Sequence, residues 1–160
     1  MTVPRHTLIR QRREQLGISV SELARRIGLE EESMYWDVKF HEDELTGVLP
    51  LRNPRALAKV LELDLRALLG VDPRNRSGAI AGKPRHLVLT EARDRIGVSV
   101  SQMANDIAFE DWFVQLIEGD SQAIEKWPYE VLTIVAAYLK LDPADLVDEP
   151  SIQKTSSSKE

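Results

Sequence analysis

The 160-residue chain contains no cysteine, only three histidines and few aromatic residues, and each scarcity excludes a class of chemistry. Without cysteine there is no disulfide, thiolate nucleophile, iron–sulfur cluster or sulfur-ligated zinc site. The scattered histidines offer little to a metal ion, so we expect neither a metal nor a cofactor. Positive charge is also in deficit. A net charge of −5 argues against a protein that coats nucleic acid indiscriminately.

Long apolar runs are missing as well. No stretch approaches the roughly 18 apolar residues of a membrane helix, and the first residues carry no apolar signal-peptide region. We therefore expect a cytoplasmic protein with no membrane partner. We also find no nucleophile with a base and no phosphate-cradling glycine loop at useful spacing. The chain is predicted not to be an enzyme and to have no small-molecule substrate.

The sequence repeats itself. Residues 17–24, GISVSELA, correspond to residues 97–104, GVSVSQMA, at an offset of 80, and a later block that begins at Pro50 matches at an offset of 78. Internal repetition of this kind indicates duplicated structural units. We therefore predict a first domain, residues 1–70, and a second copy, residues 87–150. A basic linker, residues 71–86, joins them, and a disordered tail, residues 151–160, follows.

Each repeat has helical periodicity, with no alternating strand pattern, so the predicted fold class is all-α with five helices per repeat. Thr7 is the expected cap of the first helix, and Gly17 supplies its left-handed exit. Ser19 and Glu22 have capping-box spacing, which Ser99 and Gln102 copy. The second helix should end at Gly28 or Ala108, with a third helix after the next turn. A fourth helix should follow Pro50 or Pro128, and a fifth should follow Asp64 or Asp142.

These residues resemble the Cro and lambda-repressor-like helix-turn-helix family, also called Xre-type. In the first repeat the resemblance is carried by Ser19, Glu22, Leu23, Ala24, Ile27, Gly28 and Leu29. In the second it is carried by Ser99, Gln102, Met103, Ala104, Ile107, Phe109, Val114, Ile117, Glu118 and Gly119. The resemblance covers most of the chain. It implies two tandem five-helix domains, of which the third helix usually reads the major groove of double-stranded DNA in a dimer.

Charge is unevenly distributed along the chain. Residues 1–29 carry a net charge of +4, from which we predict phosphate contacts. The candidate DNA-binding cations are Arg5, Arg10, Arg12, Arg13, Arg25 and Arg26. By resemblance, Tyr35 and Gln115 occupy base-facing positions, and Gln115 has base-reading chemistry. The leading hypothesis is a DNA-binding transcriptional regulator whose phosphate contacts come mainly from the first domain.

The third helices suggest an alternative. Residues 30–50 carry a net charge of −6 and residues 87–150 carry −9. Carboxylates beside phosphates oppose ordinary docking in the major groove, whereas an aromatic among acidic residues suits a protein interface. The candidate protein-interaction residues are Glu31, Glu32, Trp36, Asp111 and Trp112. The alternative is a regulator on the same fold that docks a protein partner, and a homodimer is also compatible with the sequence.

One position breaks the repeat. At the offset of 80, Asp37 stands where the second copy has Ile117, so either the first copy lacks a core side chain there or the helix is reset. The linker, with a net charge of +3, reads either as a solvated connection or as an arm that follows a phosphate backbone.

Overall fold

A computed structural model describes residues 3–29, 36–71 and 83–148. All regular secondary structure in these ranges is helical, and the one β-type contact described is an isolated antiparallel bridge between Pro50 and Pro128. The predicted all-α class is confirmed. The start of the third helix predicted in the first repeat, most of the linker, and the predicted tail lie outside the described residues.

The described chain divides into two compact units. The first contains the described residues up to Val71 together with Glu125–Val131, and the second contains the remaining described residues. The segment Glu125–Val131 is attached within the first unit by specific contacts. Leu51 N donates to Trp127 O at 2.9 Å, and the Arg55 guanidinium donates to both oxygens of Glu125 at 2.6 and 2.9 Å. The domain limits expected from the repeat stay a prediction.

The first unit is built from five described helices. They are α1 (Arg5–Gln15), α2 (Val20–Ile27), α3 (Glu44–Gly47), α4 (Arg52–Leu61) and α5 (Leu65–Leu69). The expected cap at Thr7 is wrong, because α1 already begins at Arg5, directly after Pro4. Proline has a fixed φ and no amide hydrogen, which suits the start of a helix and moves this boundary upstream.

In the first unit the predicted third helix does not extend through residues 36–43, which form turns and a bend, whereas the later part of the chain has a helix at the matching place. The helices of this later part are α6 (Arg85–Ile96), α7 (Val100–Asp106), α8 (Asp111–Gly119), a 3₁₀ helix (Ser121–Lys126), α9 (Tyr129–Leu139) and α10 (Ala144–Val147). The predicted fourth and fifth helices are therefore present in both repeats. The 3₁₀ helix was not expected from the sequence.

Both predicted serine caps are confirmed. Ser19 Oγ accepts from Glu22 N at 3.1 Å, and Ser99 Oγ accepts from Gln102 N at 3.0 Å. The reciprocal half of the capping box is replaced by contacts along the helix. Glu22 accepts from two arginines of α2, and Gln102 donates to Asp106. Each helix start thus has one of its exposed amides satisfied by a side chain.

Left-handed turns end corresponding helices in both repeats. Positive φ occurs at three pairs of matching positions: Gly17 and Gly97, Gly28 and Ala108, Glu62 and Lys140. At Ala108 the left-handed conformation, with φ of 62°, carries the steric cost of a Cβ that glycine avoids at Gly28, about 1–2 kcal/mol. The backbone therefore repeats where the sequence does, even where glycine has been replaced.

The core of the first unit surrounds α4, which contacts α1, α2, α3 and α5. Leu23, Leu57 and Leu61 are fully buried there, and Ala24 is 2% exposed. A small side chain at Ala24 lets neighbouring helices approach closely. Ala104, at the matching position of α7, is likewise fully buried.

Candidate nucleic-acid interface

Four of the arginines predicted to contact phosphates donate hydrogen bonds within the unit to residues outside their own helix, and of these Arg10, which donates to Asp37 O, keeps an exposed side chain. Arg12 Nε donates at 2.8 Å to the carbonyl oxygen of Leu61, which is the last residue of α4. Arg5 donates to Leu68 O at 3.4 Å and to Asp43 at 3.2 Å. Helix carbonyls near a C-terminus lack intrahelical partners, so these guanidinium groups act as caps. Arg5 and Arg12 therefore help to hold α1 against the rest of the unit.

Arg13 connects three parts of the first unit. Its Nη1 donates to Ile18 O at 3.1 Å, in the turn before α2, while Nε and Nη2 approach Asp37 Oδ2 at 3.3 and 3.2 Å. Both side chains of the ion pair are largely buried, with 16% and 12% exposed. An alanine at Arg13 would leave the Asp37 carboxylate without this partner, so its first role is structural.

The second unit repeats this pattern. Arg93 donates to Val98 O at 2.9 Å and to both oxygens of Glu118 at 2.7 and 3.0 Å. The hydrogen bond and the charge of Glu118 raise the pKa of Arg93 against the opposing effect of burial. Arg85 donates to Leu146 O, as Arg5 does to Leu68 O, and also to Ser121 O. Sequence reasoning missed these fold-holding arginines.

The contacts also resolve the break in the repeat. Trp36 is 1% exposed and belongs to the core, as does the fully buried Ile117, while Asp37 binds Arg13 as Glu118 binds Arg93. The matching offset here is therefore 81 instead of 80. The first copy keeps its core position, because Trp36 fills it. A one-residue shift of the alignment pairs Trp36 and Asp37 with Ile117 and Glu118. This apolar–acidic pattern could have revealed the equivalence from the sequence.

The burial of Trp36 corrects its predicted place on a protein-facing surface. Its side chain packs in the same cluster as Ile9, Leu23 and Leu45. An indole that is 1% exposed cannot contact a partner unless the unit opens, so its role is in the core.

Three of the six candidate arginines remain exposed. Arg10, Arg25 and Arg26 are each exposed, and the last two lie at the end of α2. Both contact Glu22, with side chains that keep 75% and 49% of their surface accessible. Hydrogen bonds from Arg25 first, and then from Arg26, lower the pKa of Glu22. One carboxylate thus faces two guanidinium groups, which leaves a net positive charge at this helix end.

The acidic segment between Trp36 and α3 lies against α1. His6 Nδ1 is 2.7 Å from Glu42 Oε2, and His6 N donates to the same oxygen at 3.0 Å. Burial raises the pKa of Glu42, but the two hydrogen bonds from His6, together with the charges of His6 and Arg5, outweigh it and the net pKa is lowered. Phe40 projects from this segment with 90% of its surface exposed, and sequence reasoning missed it.

The second unit presents a helix pair joined by a tight turn. Residues 107–110 connect α7 to α8, and Ser101 Oγ of α7 donates to Asp111 at the start of α8 at 2.5 Å. Asp111, Trp112 and Gln115 are all exposed on α8, as a role in ligand contact requires. The structure thus brings one predicted base-reading residue together with two predicted protein-contacting residues on one helix.

The remaining predicted site residues lie beyond the described ranges. They are Glu31, Glu32 and Tyr35, so their roles stay predictions. Across residues 3–29, 36–71 and 83–148, no group of three or more metal-ligating side chains comes together. No helix in those ranges combines the length and the apolar character needed to cross a bilayer.

Comparison with models of protein families, with curated proteins and with solved structures gave no match to this chain.

Proposed function

We propose that this protein is a DNA-binding regulator with two tandem lambda-repressor-like helix-turn-helix domains, of which the first supplies most contacts to phosphate. The observation that carries the proposal is the geometry of α7 and α8. A serine-capped helix is followed by a four-residue turn, with Ala108 in the left-handed conformation, and by a second helix packed against the first. This arrangement is that of a helix-turn-helix and supports the domain type proposed for both repeats, while the contacts to phosphate are proposed for the first unit.

Matching contacts in the first unit support the tandem arrangement. Ser19 caps α2 as Ser99 caps α7, and α2 ends at a left-handed Gly28 as α7 is followed by a left-handed Ala108. Arg5 and Arg85 begin their first helices and reach carbonyls of the last short helix in the same way. Two copies of one domain would share these contacts because each holds together the same set of helices.

The exposed cations support the proposal that the first unit contacts phosphate. Of the six candidate arginines, Arg5, Arg12 and Arg13 are bound to carbonyls and carboxylates within the unit. The three exposed arginines are Arg10, which also donates to Asp37 O, and Arg25 and Arg26, one of whose charges Glu22 balances. Phosphate binding releases counterions, and the number of contacts is expressed in the salt dependence of the affinity.

The experiment is a salt-dependent titration of the whole protein with duplex DNA. The triple variant Arg10→Ala, Arg25→Ala, Arg26→Ala should bind more weakly on all sequences alike. The slope of log K against log salt should flatten by about 0.9 for each phosphate that is no longer neutralised. Thermal unfolding should stay close to that of the wild type, because these side chains are exposed.

A matched control removes the same charge elsewhere in the first unit. Arg52, Lys59 and Lys126 are also exposed, so their triple alanine variant has the same net charge. It should keep the wild-type slope. Equal flattening in both variants would mean that overall charge, and not this surface, governs binding. A wild-type protein that binds no duplex at low salt would overturn the proposed function.

A further inference from the structure

One face of α8 is apolar and exposed although the helix already buries another face. Phe113, Val114 and Ile117 are fully buried and hold α8 in the unit. Trp112 and Leu116 lie four residues apart, hence one above the other on the helix surface, with 56% and 37% of their area exposed. An exposed tryptophan is also a residue type enriched at the centres of protein interfaces.

The charges around this face select the kind of partner. No lysine or arginine occurs between Arg95 and Lys126, a stretch that includes all of α7 and α8. Glu110 and Asp111 are exposed at the start of α8, and Asp111 accepts a hydrogen bond from the neutral Ser101. Two exposed carboxylates, Glu110 and Asp111, therefore directly precede the apolar pair at the start of α8.

We propose that this face of α8, which we name the Trp112 face and which comprises Trp112, Leu116, Glu110 and Asp111, binds a cationic amphipathic helix of a partner protein. Apolar side chains of the partner cover Trp112 and Leu116, and its lysines or arginines meet the carboxylates of Glu110 and Asp111. Duplex DNA is disfavoured here because carboxylates would face phosphates. A second copy is disfavoured because the same acidic faces would meet each other. The proposal is independent of DNA binding by the first unit.

The test uses the full chain and a labelled synthetic peptide of about 18 residues, long enough for a helix, with leucine on one face and lysine on the other. Fluorescence anisotropy at about 0.15 M salt measures the affinity. Trp112→Ala should weaken binding about tenfold or more, and Leu116→Ala about threefold. Glu110→Lys with Asp111→Lys should abolish the attraction of the cationic peptide. A peptide with glutamate in place of lysine should not bind the wild type.

Matched variants show whether peptide binding is specific to the Trp112 face. Ile134→Ala removes a similarly exposed apolar side chain, 46% accessible, from α9 and should change the affinity less than about twofold. The Arg10, Arg25, Arg26 variant should bind the peptide like the wild type, so that failure here and failure of DNA binding remain distinguishable. Unchanged far-ultraviolet circular dichroism shows that each variant is folded.

Three results would overturn the proposal. Equal peptide affinity for Trp112→Ala and the wild type removes the Trp112 face as the binding surface. A loss of DNA sequence preference in Trp112→Ala or Gln115→Ala, with peptide binding unaffected, assigns α8 to the major groove instead. A self-association that sedimentation detects in the wild type and that Trp112→Ala removes, with no peptide binding, assigns the face to a second copy.

Discussion

In each unit an arginine of the first helix forms an ion pair with an acidic residue, Arg13 with Asp37 and Arg93 with Glu118. We call this pair the arginine anchor, and its geometry differs between the units. In the second unit Glu118 gives both oxygens to Arg93, and the apolar residue before it is Ile117. In the first unit one oxygen of Asp37 meets Arg13, and the preceding residue is the much larger Trp36. A shorter acid and a larger apolar residue thus occupy equivalent places. The comparison shows that the anchor and the core position are kept while the chain around them is changed.

The largest effect should come from emptying the shared core position. Trp36→Ala should lower the free energy of unfolding by about 3–5 kcal/mol and Ile117→Ala by about 2–5 kcal/mol, because each leaves a cavity beside fully buried neighbours. Urea unfolding of the full chain measures both. A cost below about 1 kcal/mol for Trp36→Ala would mean that the indole does not fill the position of Ile117, and the equivalence would fail.

Breaking the arginine anchor should lower the free energy of unfolding less than emptying the core position does. The loss should be larger in the second unit than in the first. Glu118→Ala leaves Arg93, with 14% of its side chain exposed, without its bidentate partner and should cost about 3 kcal/mol. Asp37→Ala should cost about 2 kcal/mol, because its single oxygen makes longer contacts to Arg13. Denaturant unfolding within double-mutant cycles with Arg93→Ala and Arg13→Ala isolates each pair. A larger coupling in the first unit would reverse the ranking.

The anchor also shows where sequence reasoning succeeds and where it stops. Periodicity, serine caps and left-handed turns are local, so the all-α class, Ser19, Ser99 and Gly28 could be predicted from short stretches. The acidic partner of Arg13 is not local in sequence. Asp37 is 24 residues away, and its carboxylate reaches the guanidinium only in the folded unit. Three of the arginines predicted to contact phosphate, Arg5, Arg12 and Arg13, form caps and ion pairs within the unit. Charge counting locates cations but cannot say which of them the fold uses.

At Trp36 the obstacle was register. A constant offset of 80 paired Asp37 with Ile117 and hid the one-residue shift that aligns Trp36 with that core position. An aromatic residue among acids then looked like a surface residue. Trp112, in a similar acidic setting, is exposed. Composition around a residue does not decide its burial, whereas its position relative to the buried stripe of its helix does.

A smaller effect tests whether the two repeats are equivalent at their best-matched point. Ser19→Ala and Ser99→Ala each remove one side-chain bond to a first-turn amide, at 3.1 and 3.0 Å, and each should cost about 1 kcal/mol. Thermal and urea unfolding of the two variants provide the comparison. Costs that differ by more than about 1 kcal/mol would show that one of the two helices depends on its cap more than the matching distances imply.

The smallest effect concerns a pair that the second unit lacks. His6 has Glu42 as its partner, whereas His86, at the matching position of α6, has a buried Nδ1 with no hydrogen-bond partner among the residues that the structure describes. The pKa of Glu42 lies below its ordinary value of 4.5, so its ionised form is favoured by folding. Stability from this group is therefore complete above the unfolded pKa and is lost as pH falls through the folded pKa.

Comparing unfolding of the wild type and Glu42→Gln between about pH 6 and about pH 3 should show the wild-type advantage shrinking on acidification. His86→Ala should leave that difference unchanged. A constant difference across the range would mean that Glu42 has the same affinity for protons in the folded and unfolded chain, and that the segment is held against α1 by its other contacts.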